Sequence, residues 1–206
     1  MKSKIIALTL LASANAYAVV VTVDSGGFTQ AVVNSANTPI PVGGGWVGVG
    51  FFSTYSAGTD FSQLSGADLA ADFVLFGPSF AFGGTGFDGF FSGVVDGGRV
   101  GASSPFLGQN LFTVTGNAST LADSSEALIY RHSVTFPNDD GAPAPASLSA
   151  VPGDAGGAYL FGGPSGGTTV ILGTDIPAVM MGTLIPEPSV ALLGAFGVLG
   201  LLRRRR

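Results

Sequence analysis

The chemistry open to this chain is limited by a single histidine, His132, and by a complete lack of cysteine. Disulfides, thiolate nucleophiles and cysteine-ligated zinc are therefore excluded. Residues 163–167, Gly-Pro-Ser-Gly-Gly, match the G-x-S-x-G pattern of serine hydrolases. A nucleophile elbow needs a strand, a sharp turn and a helix, with the histidine later in the chain, whereas His132 comes earlier. The pattern therefore predicts a turn, His132 is predicted to be a packing residue on a strand, and we expect no enzyme.

Aspartates in turn-like segments are the other candidates, because carboxylate oxygens from loops suit Ca²⁺. They are Asp24, Asp139, Asp140, Asp154 and Asp175. No EF-hand spacing connects them, and aspartate is common in turns because it favours turn conformations. The sequence predicts no cofactor, with a calcium site as the open alternative.

Two glycine-rich segments, residues 43–48 and 84–89, match the G-x-G-x-x-G pattern of dinucleotide sites. With 33 glycines in 206 residues, such matches arise by chance. The phosphate site needs a helix N-terminus, and β-prone residues follow both segments. We expect no nucleotide site.

Trp46 and the 16 phenylalanines are predicted mainly to fill the core. A sugar-binding face built from exposed aromatic rings is the alternative interpretation.

Short β-prone runs bounded by Gly, Pro, Asn, Asp or Ser predict the strands. They cover residues 19–23, 46–52, 73–76, 90–95, 111–115, 127–136, 159–161 and 168–172. The pattern predicts an all-β fold, a single antiparallel β-sandwich resembling a jelly roll, with one short helix within residues 61–71. The last two runs are predicted to form an antiparallel hairpin, and a period slip after His132 predicts a bulge.

The N-terminus predicts a secretory signal peptide over residues 1–18. Two lysines precede an apolar run, and Ala16 and Ala18 supply the small residues that signal peptidase reads. We expect cleavage after Ala18.

The C-terminus predicts a short membrane tail over residues 186–206. Pro186, Glu187 and Pro188 come first, the apolar residues 189–202 follow as a predicted transmembrane helix, and the chain ends in four arginines, which are Arg203, Arg204, Arg205 and Arg206. The apolar stretch is shorter than the roughly twenty residues of a usual span. The arginines are expected to stay in the cytoplasm under the positive-inside rule.

One β-rich domain over residues 19–185 remains between these ends. It contains two arginines and twelve acidic residues, which leaves a formal charge of −10. Phosphate binding needs clustered Lys and Arg, so nucleic acid is not an expected partner.

The Pro-Glu-Pro motif, the apolar segment and the terminal arginines together resemble the PEP-CTERM sorting signal of bacterial surface proteins. The resemblance implies that an exosortase recognises residues 186–188 and cuts near them. It also implies that the protein is tethered to the inner membrane before it reaches the cell surface or the exopolysaccharide matrix. We therefore expect a noncatalytic surface or matrix protein, with a carbohydrate-binding module or a secreted hydrolase as alternatives.

Overall fold

The computed structural model describes residues 18–25, 29–140 and 146–186, and these residues form an all-β fold. They contain twelve strands, one 3₁₀ helix (Phe61–Gln63) and one α-helix, α1 (Gly66–Asp72). The strands are β1 (Val20–Asp24), β2 (Ala31–Val33), β3 (Trp46–Phe52), β4 (Phe73–Leu75), β5 (Ser92–Asp96), β6 (Asn110–Gly116), β7 (Glu126–Thr135), β8 (Ser147–Ala150), β9 (Ala158–Phe161), β10 (Gly163–Ile171), β11 (Thr174–Met180) and β12 (Gly182–Thr183).

The strands form three sheets with mixed pairing. The largest sheet has the order β12-β7-β6-β3-β4, with β9 also paired to β7. The two smaller sheets have the orders β5-β1-β8 and β10-β11-β2. The pairs β1–β8 and β11–β2 are parallel, so the prediction of a purely antiparallel arrangement is wrong at these two places.

The largest sheet is buried on both faces. Successive side chains of a strand point in opposite directions, so neighbouring residues enter different apolar clusters. On β7, Leu128 joins one apolar cluster and Ile129 the other. The first cluster also receives residues from the two smaller sheets, such as Val21 and Val179. The second is covered by Leu69 of α1 and by the C-terminal segment. The largest sheet therefore lies between the two clusters and contributes residues to both.

The predicted short helix is confirmed, but the structure divides it into two. Ser65 caps α1 by accepting a hydrogen bond from the Asp68 backbone, while the Asp68 carboxylate accepts one from the Ser65 backbone. The amide and the hydroxyl of Ser65 both donate to this carboxylate and hold the pKa of Asp68 below its ordinary value. Gly66 is the first residue of α1, where a glycine costs less than it would inside the helix.

The predicted hairpin between residues 159–161 and 168–172 is wrong. Strand β9 pairs with β7, whereas β10 pairs with β11 around a two-residue loop, Leu172 and Gly173. The bulge predicted after His132 is confirmed, because the β6–β7 register shifts between the pairs Asn110–Thr135 and Phe112–Arg131.

Replacing Leu172 with asparagine is expected to raise the free energy of unfolding by about 1 kcal/mol. Leu172 has a φ of 52° and is 80% exposed, so it makes little contact that the change would remove. Asparagine tolerates positive φ and is favoured before glycine in such loops. A Leu172→Ala variant keeps the unfavourable backbone geometry, so its free energy of unfolding should not rise. Urea denaturation of the two variants checks this, and equal midpoints would contradict it.

Candidate functional site

A group of polar side chains lies in the core around His132, on the same face of β7 as Leu128. The histidine Nε2 lies 2.8 Å from the Oγ1 of Thr113, on the neighbouring strand β6. Each of these two residues is only 1% exposed. The prediction that His132 is a packing residue on a strand is confirmed by this burial.

Asp154, in the loop between β8 and β9, reaches this group from outside the sheet. Its Oδ2 lies 3.4 Å from the Nδ1 of His132. The Tyr130 hydroxyl donates to Asp154 Oδ1 at 2.6 Å and approaches the Asp154 carbonyl oxygen at 3.0 Å. The carboxylate therefore ties its loop to two adjacent side chains of β7.

The connection Thr113–His132–Asp154 has the order of a nucleophile, a base and an orienting acid. Burial prevents that use in this conformation, because the Thr113 hydroxyl would have to meet a substrate while its residue is 1% exposed. What the arrangement does is satisfy polar groups inside an apolar core, where an unpaired group costs about 1–3 kcal/mol. This geometry fits a role in stabilising the fold, by linking β6, β7 and the β8–β9 loop, better than a catalytic role.

Burial also shifts the protonation of this group. Desolvation lowers the pKa of His132, and the neighbouring Asp154 only partly opposes that shift. Desolvation raises the pKa of Tyr159 to about 12, and together with the Asp154 hydrogen bond it raises the pKa of Tyr130. The histidine and both tyrosines are therefore uncharged at neutral pH.

Acidification below pH 6.5 is expected to destabilise the fold through His132. The unfolded histidine takes up a proton near the ordinary histidine pKa of 6.5, while the folded one resists it. The stability contribution is thus complete above pH 6.5 and falls as pH drops toward the lowered folded pKa, by at most about 1.4 kcal/mol per pH unit. Urea midpoints between pH 7.5 and pH 5 should fall in the native chain and change less in His132→Gln. An equal fall in both chains would show that His132 is not the source of the pH dependence.

The turn predicted for the G-x-S-x-G pattern is wrong, because these residues lie within β10, at an irregularity of its pairing with β11. Ser165 donates through its hydroxyl to the carbonyl oxygen of Ala178 and accepts a hydrogen bond from the Gly167 amide. It thus joins backbone groups at a bulge. The glycine-rich residues 43–48 lead into β3 and residues 84–89 lie in a loop, so neither opens a helix.

The five candidate calcium ligands are placed in different surroundings. Within the described residues, no group of three or more His, Cys, Asp or Glu side chains is arranged to hold a metal ion. Asp154 contacts His132, whereas Asp139 and Asp140 accept backbone hydrogen bonds from Val100 and Ala102. Calcium binding stays an untested alternative to the prediction of no cofactor.

Trp46 lies at a shallow apolar cleft of about 230 Å³ at one end of β3. The cleft is lined by Trp46, Ala70, Phe73, Leu75 and residues 120–122. The Phe73 ring meets the indole edge-on, with the ring centroids 6.1 Å apart. The indole also covers Gly48, where a β-carbon would overlap it. Trp46 is half-buried, so one tryptophan combines core packing with a partly open surface.

The residues predicted to direct export lie at the limits of the described chain. Ala18 is described and partly buried, and Pro186 is exposed. Ala16, Glu187, Pro188, the apolar residues 189–202 and the four terminal arginines lie outside the described residues. In the part of the chain that is described, no helix has the length and apolar character needed to span a membrane.

No family model, curated protein or solved structure matches this chain.

Proposed function

We propose that this chain is an exported, noncatalytic protein of a bacterial cell surface or exopolysaccharide matrix, sorted through a PEP-CTERM-like tail. Its domain is a jelly-roll-like β-sandwich in this proposal. The observation behind it is that, among the described residues, the buried hydrophobic side chains extend from Val19 to Leu184, inside the two sites where processing is expected.

At the N-terminal limit, Val19 is fully buried and its amide donates to the carbonyl oxygen of Gly98 at 3.1 Å. Strand β1 begins one residue later. Cleavage after Ala18 by signal peptidase would leave every residue of β1 in the mature protein. The position of the core therefore supports the predicted cleavage site.

Near the C-terminal limit of the described chain, Leu184 and Ile185 are anchored by their backbone. Their amides donate to the carbonyl oxygens of Ser125 and Leu64, at 2.9 and 3.1 Å. Pro186 follows and is exposed. An exosortase acting at Pro186, Glu187 and Pro188 would thus remove the tail without removing a core residue.

The tail supplies the remaining steps of the proposal. Residues 189–202 hold the protein in the inner membrane, and the arginines of residues 203–206 keep the far end in the cytoplasm. Cleavage then frees the acidic domain to the cell surface or matrix. The tail residues are substrates of the processing enzyme in this scheme.

Substitution of the tail motif in the full chain, expressed in its host, tests the proposal. A Glu187→Ala chain should stay in the membrane fraction at full length, while the unaltered chain is released in a shorter form. Pro78→Ala is the control, since Pro78 is exposed in a loop and lies outside the motif. Equal release of all three chains would contradict sorting through Glu187.

Carbohydrate binding is a second candidate, favoured by the cleft at Trp46. A half-buried indole beside Phe73 offers a rigid apolar surface for a sugar ring. The cleft is smaller than the roughly 300 Å³ at which most ligand pockets begin, so it suits one ring. Trp46 is the only tryptophan in the chain, so its fluorescence reports binding directly. A saturable change on adding neutral polysaccharide would support this candidate, and an unchanged spectrum would count against it.

A further inference from the structure

Strand β10 (Gly163–Ile171) is an edge strand whose outer side has no backbone partner within the described chain. It stands at the end of the sheet β10-β11-β2 and pairs only with β11. Apart from the pairing with β11, no hydrogen bond between two backbone groups of the described chain involves residues 163–171. The Asn37 side chain donates to the carbonyl oxygen of Thr168 at 3.3 Å. Open edges of this kind readily pair with another strand.

Two of the other edge strands, β5 and β2, are covered by neighbouring segments. The Ser92 amide of β5 donates to the carbonyl oxygen of Gly83, and the Phe80 ring lies over Gly93. On β2, Val32 exchanges backbone hydrogen bonds with Gly89 and Ile40. With nine residues, β10 is the longest edge strand in the described chain.

The register of the hairpin shows which groups of β10 point outward. A two-residue loop closes on a hydrogen-bonded pair, here Ile171 and Thr174, and such pairs alternate along the strands. The backbone N–H and C=O groups of Thr168 and Val170 therefore point away from β11. Their side chains share the exposed face, and Val170 is 66% exposed.

The lack of charge along this strand favours a second copy of the chain as its partner. Residues 155–174 contain no charged side chain, whereas the domain as a whole has a formal charge of −10. A second copy of the chain is repelled wherever acidic residues meet. This repulsion is weaker at β10, because the strand itself is uncharged and Asp175, opposite Val170, lies on β11, one strand behind the edge. The segment Thr-Thr-Val-Ile at residues 168–171 is rich in β-branched residues that favour strands. Leu172, 80% exposed at the tip, adds apolar surface beside it.

We propose that two copies of this protein associate through antiparallel pairing of β10 with β10. A two-fold axis beside Thr169 places Val170 of each copy opposite Thr168 of the other. Two narrow pairs then supply the backbone hydrogen bonds of the contact. The Thr168 carbonyl can accept a second hydrogen bond beside the one from Asn37, because a carbonyl oxygen has two lone pairs. Closed two-fold pairing is the commonest form of protein self-association.

The chain contains no cysteine, which makes a single introduced thiol a clean probe of this contact. Val170→Cys in the full chain, treated on its producing cells with a short bis-maleimide, should give a crosslinked dimer on a denaturing gel. The matched control is Val94→Cys, because Val94 is 68% exposed on the covered edge strand β5. We expect at least tenfold more dimer from position 170, and more at high salt, where repulsion between the acidic copies is screened.

A second substitution separates specific pairing from collision. Thr168→Asp, added to the Val170→Cys chain, sets carboxylates of the two copies close together and should reduce the dimer at least tenfold. Position 168 is exposed, so the change leaves the core intact. Equal crosslinking at positions 94 and 170, no dimer at 170, or a dimer unaffected by Thr168→Asp would each overturn the proposal. A crosslinked product with the mass of a different protein would identify a foreign strand as the occupant and would also overturn it.

Discussion

Replacing Gly50 with alanine is expected to lower the free energy of unfolding by about 3 kcal/mol or more. Gly50 lies in β3, inside the largest sheet, where it pairs with Leu75 of β4 and Phe112 of β6. A β-carbon built on Gly50 would overlap the carbonyl oxygen of Val74. Because this oxygen belongs to a paired backbone, relief requires β4 to move. Urea denaturation of the purified variant measures the loss.

The matched control for this prediction is Gly58→Ala. Gly58 is exposed, has an ordinary negative φ, and has no atom within 4 Å of an added β-carbon. Its replacement should change the free energy of unfolding by no more than about 0.5 kcal/mol. Similar losses at both positions would show that the close approach of β3 and β4 is not the cause.

Replacing Asp154 with alanine is expected to lower the free energy of unfolding by about 2–3 kcal/mol. The change removes the carboxylate that accepts from the Tyr130 hydroxyl and contacts His132. Two buried side chains then lose a partner, and the loop between β8 and β9 loses its tie to β7. Thermal or urea denaturation at pH 7.5 measures the effect, with the histidine uncharged.

Asp175→Ala is the control for Asp154, since Asp175 is an exposed aspartate on β11. Its replacement should change the free energy of unfolding by no more than about 0.5 kcal/mol. An Asp154→Asn variant should retain part of the lost stability, because its amide oxygen still accepts from Tyr130. If Asp154→Ala and Asp175→Ala behaved alike, the polar group around His132 would not stabilise the fold.

The sequence predicted the strands that are rich in β-branched and aromatic residues. All eight predicted runs overlap observed strands, and the run at residues 46–52 coincides with β3. The signal was strong there because Val, Ile, Phe and Tyr pack well on a pleated surface.

Four strands were not predicted, for reasons that lie outside local pattern. β2 has three residues and β12 two, which is too short for a period to be visible. β8, with the sequence Ser-Leu-Ser-Ala, pairs in parallel with the distant β1. β11 contains Pro177, and proline is depleted in strands. Distant pairing stabilises these segments, so their own composition is a weak guide.

The same limit explains the hairpin that was predicted incorrectly. Proximity in sequence suggested that residues 159–161 pair with residues 168–172. Tyr159 instead pairs with Tyr130 of β7, and the observed hairpin turns at Leu172, where a hydrophobic residue occupies a position that usually takes asparagine.

The polar group in the core was visible from the sequence only in its separate parts. His132 was predicted to be a packing residue, and Asp154 was considered as a turn carboxylate. Their contact joins β7 to a loop 22 residues further along the chain. The alternation of side chains along a strand puts Tyr130 and His132 on one face of β7, but the arrival of Asp154 at that face depends on the position of β8 and β9.

The intact mass of the protein released from the cell surface tests the proposal that the chain is exported and sorted by removal of both ends. We expect a mature chain that begins at Val19 and ends near Pro186. A released protein that still contains Arg206 would contradict the proposal.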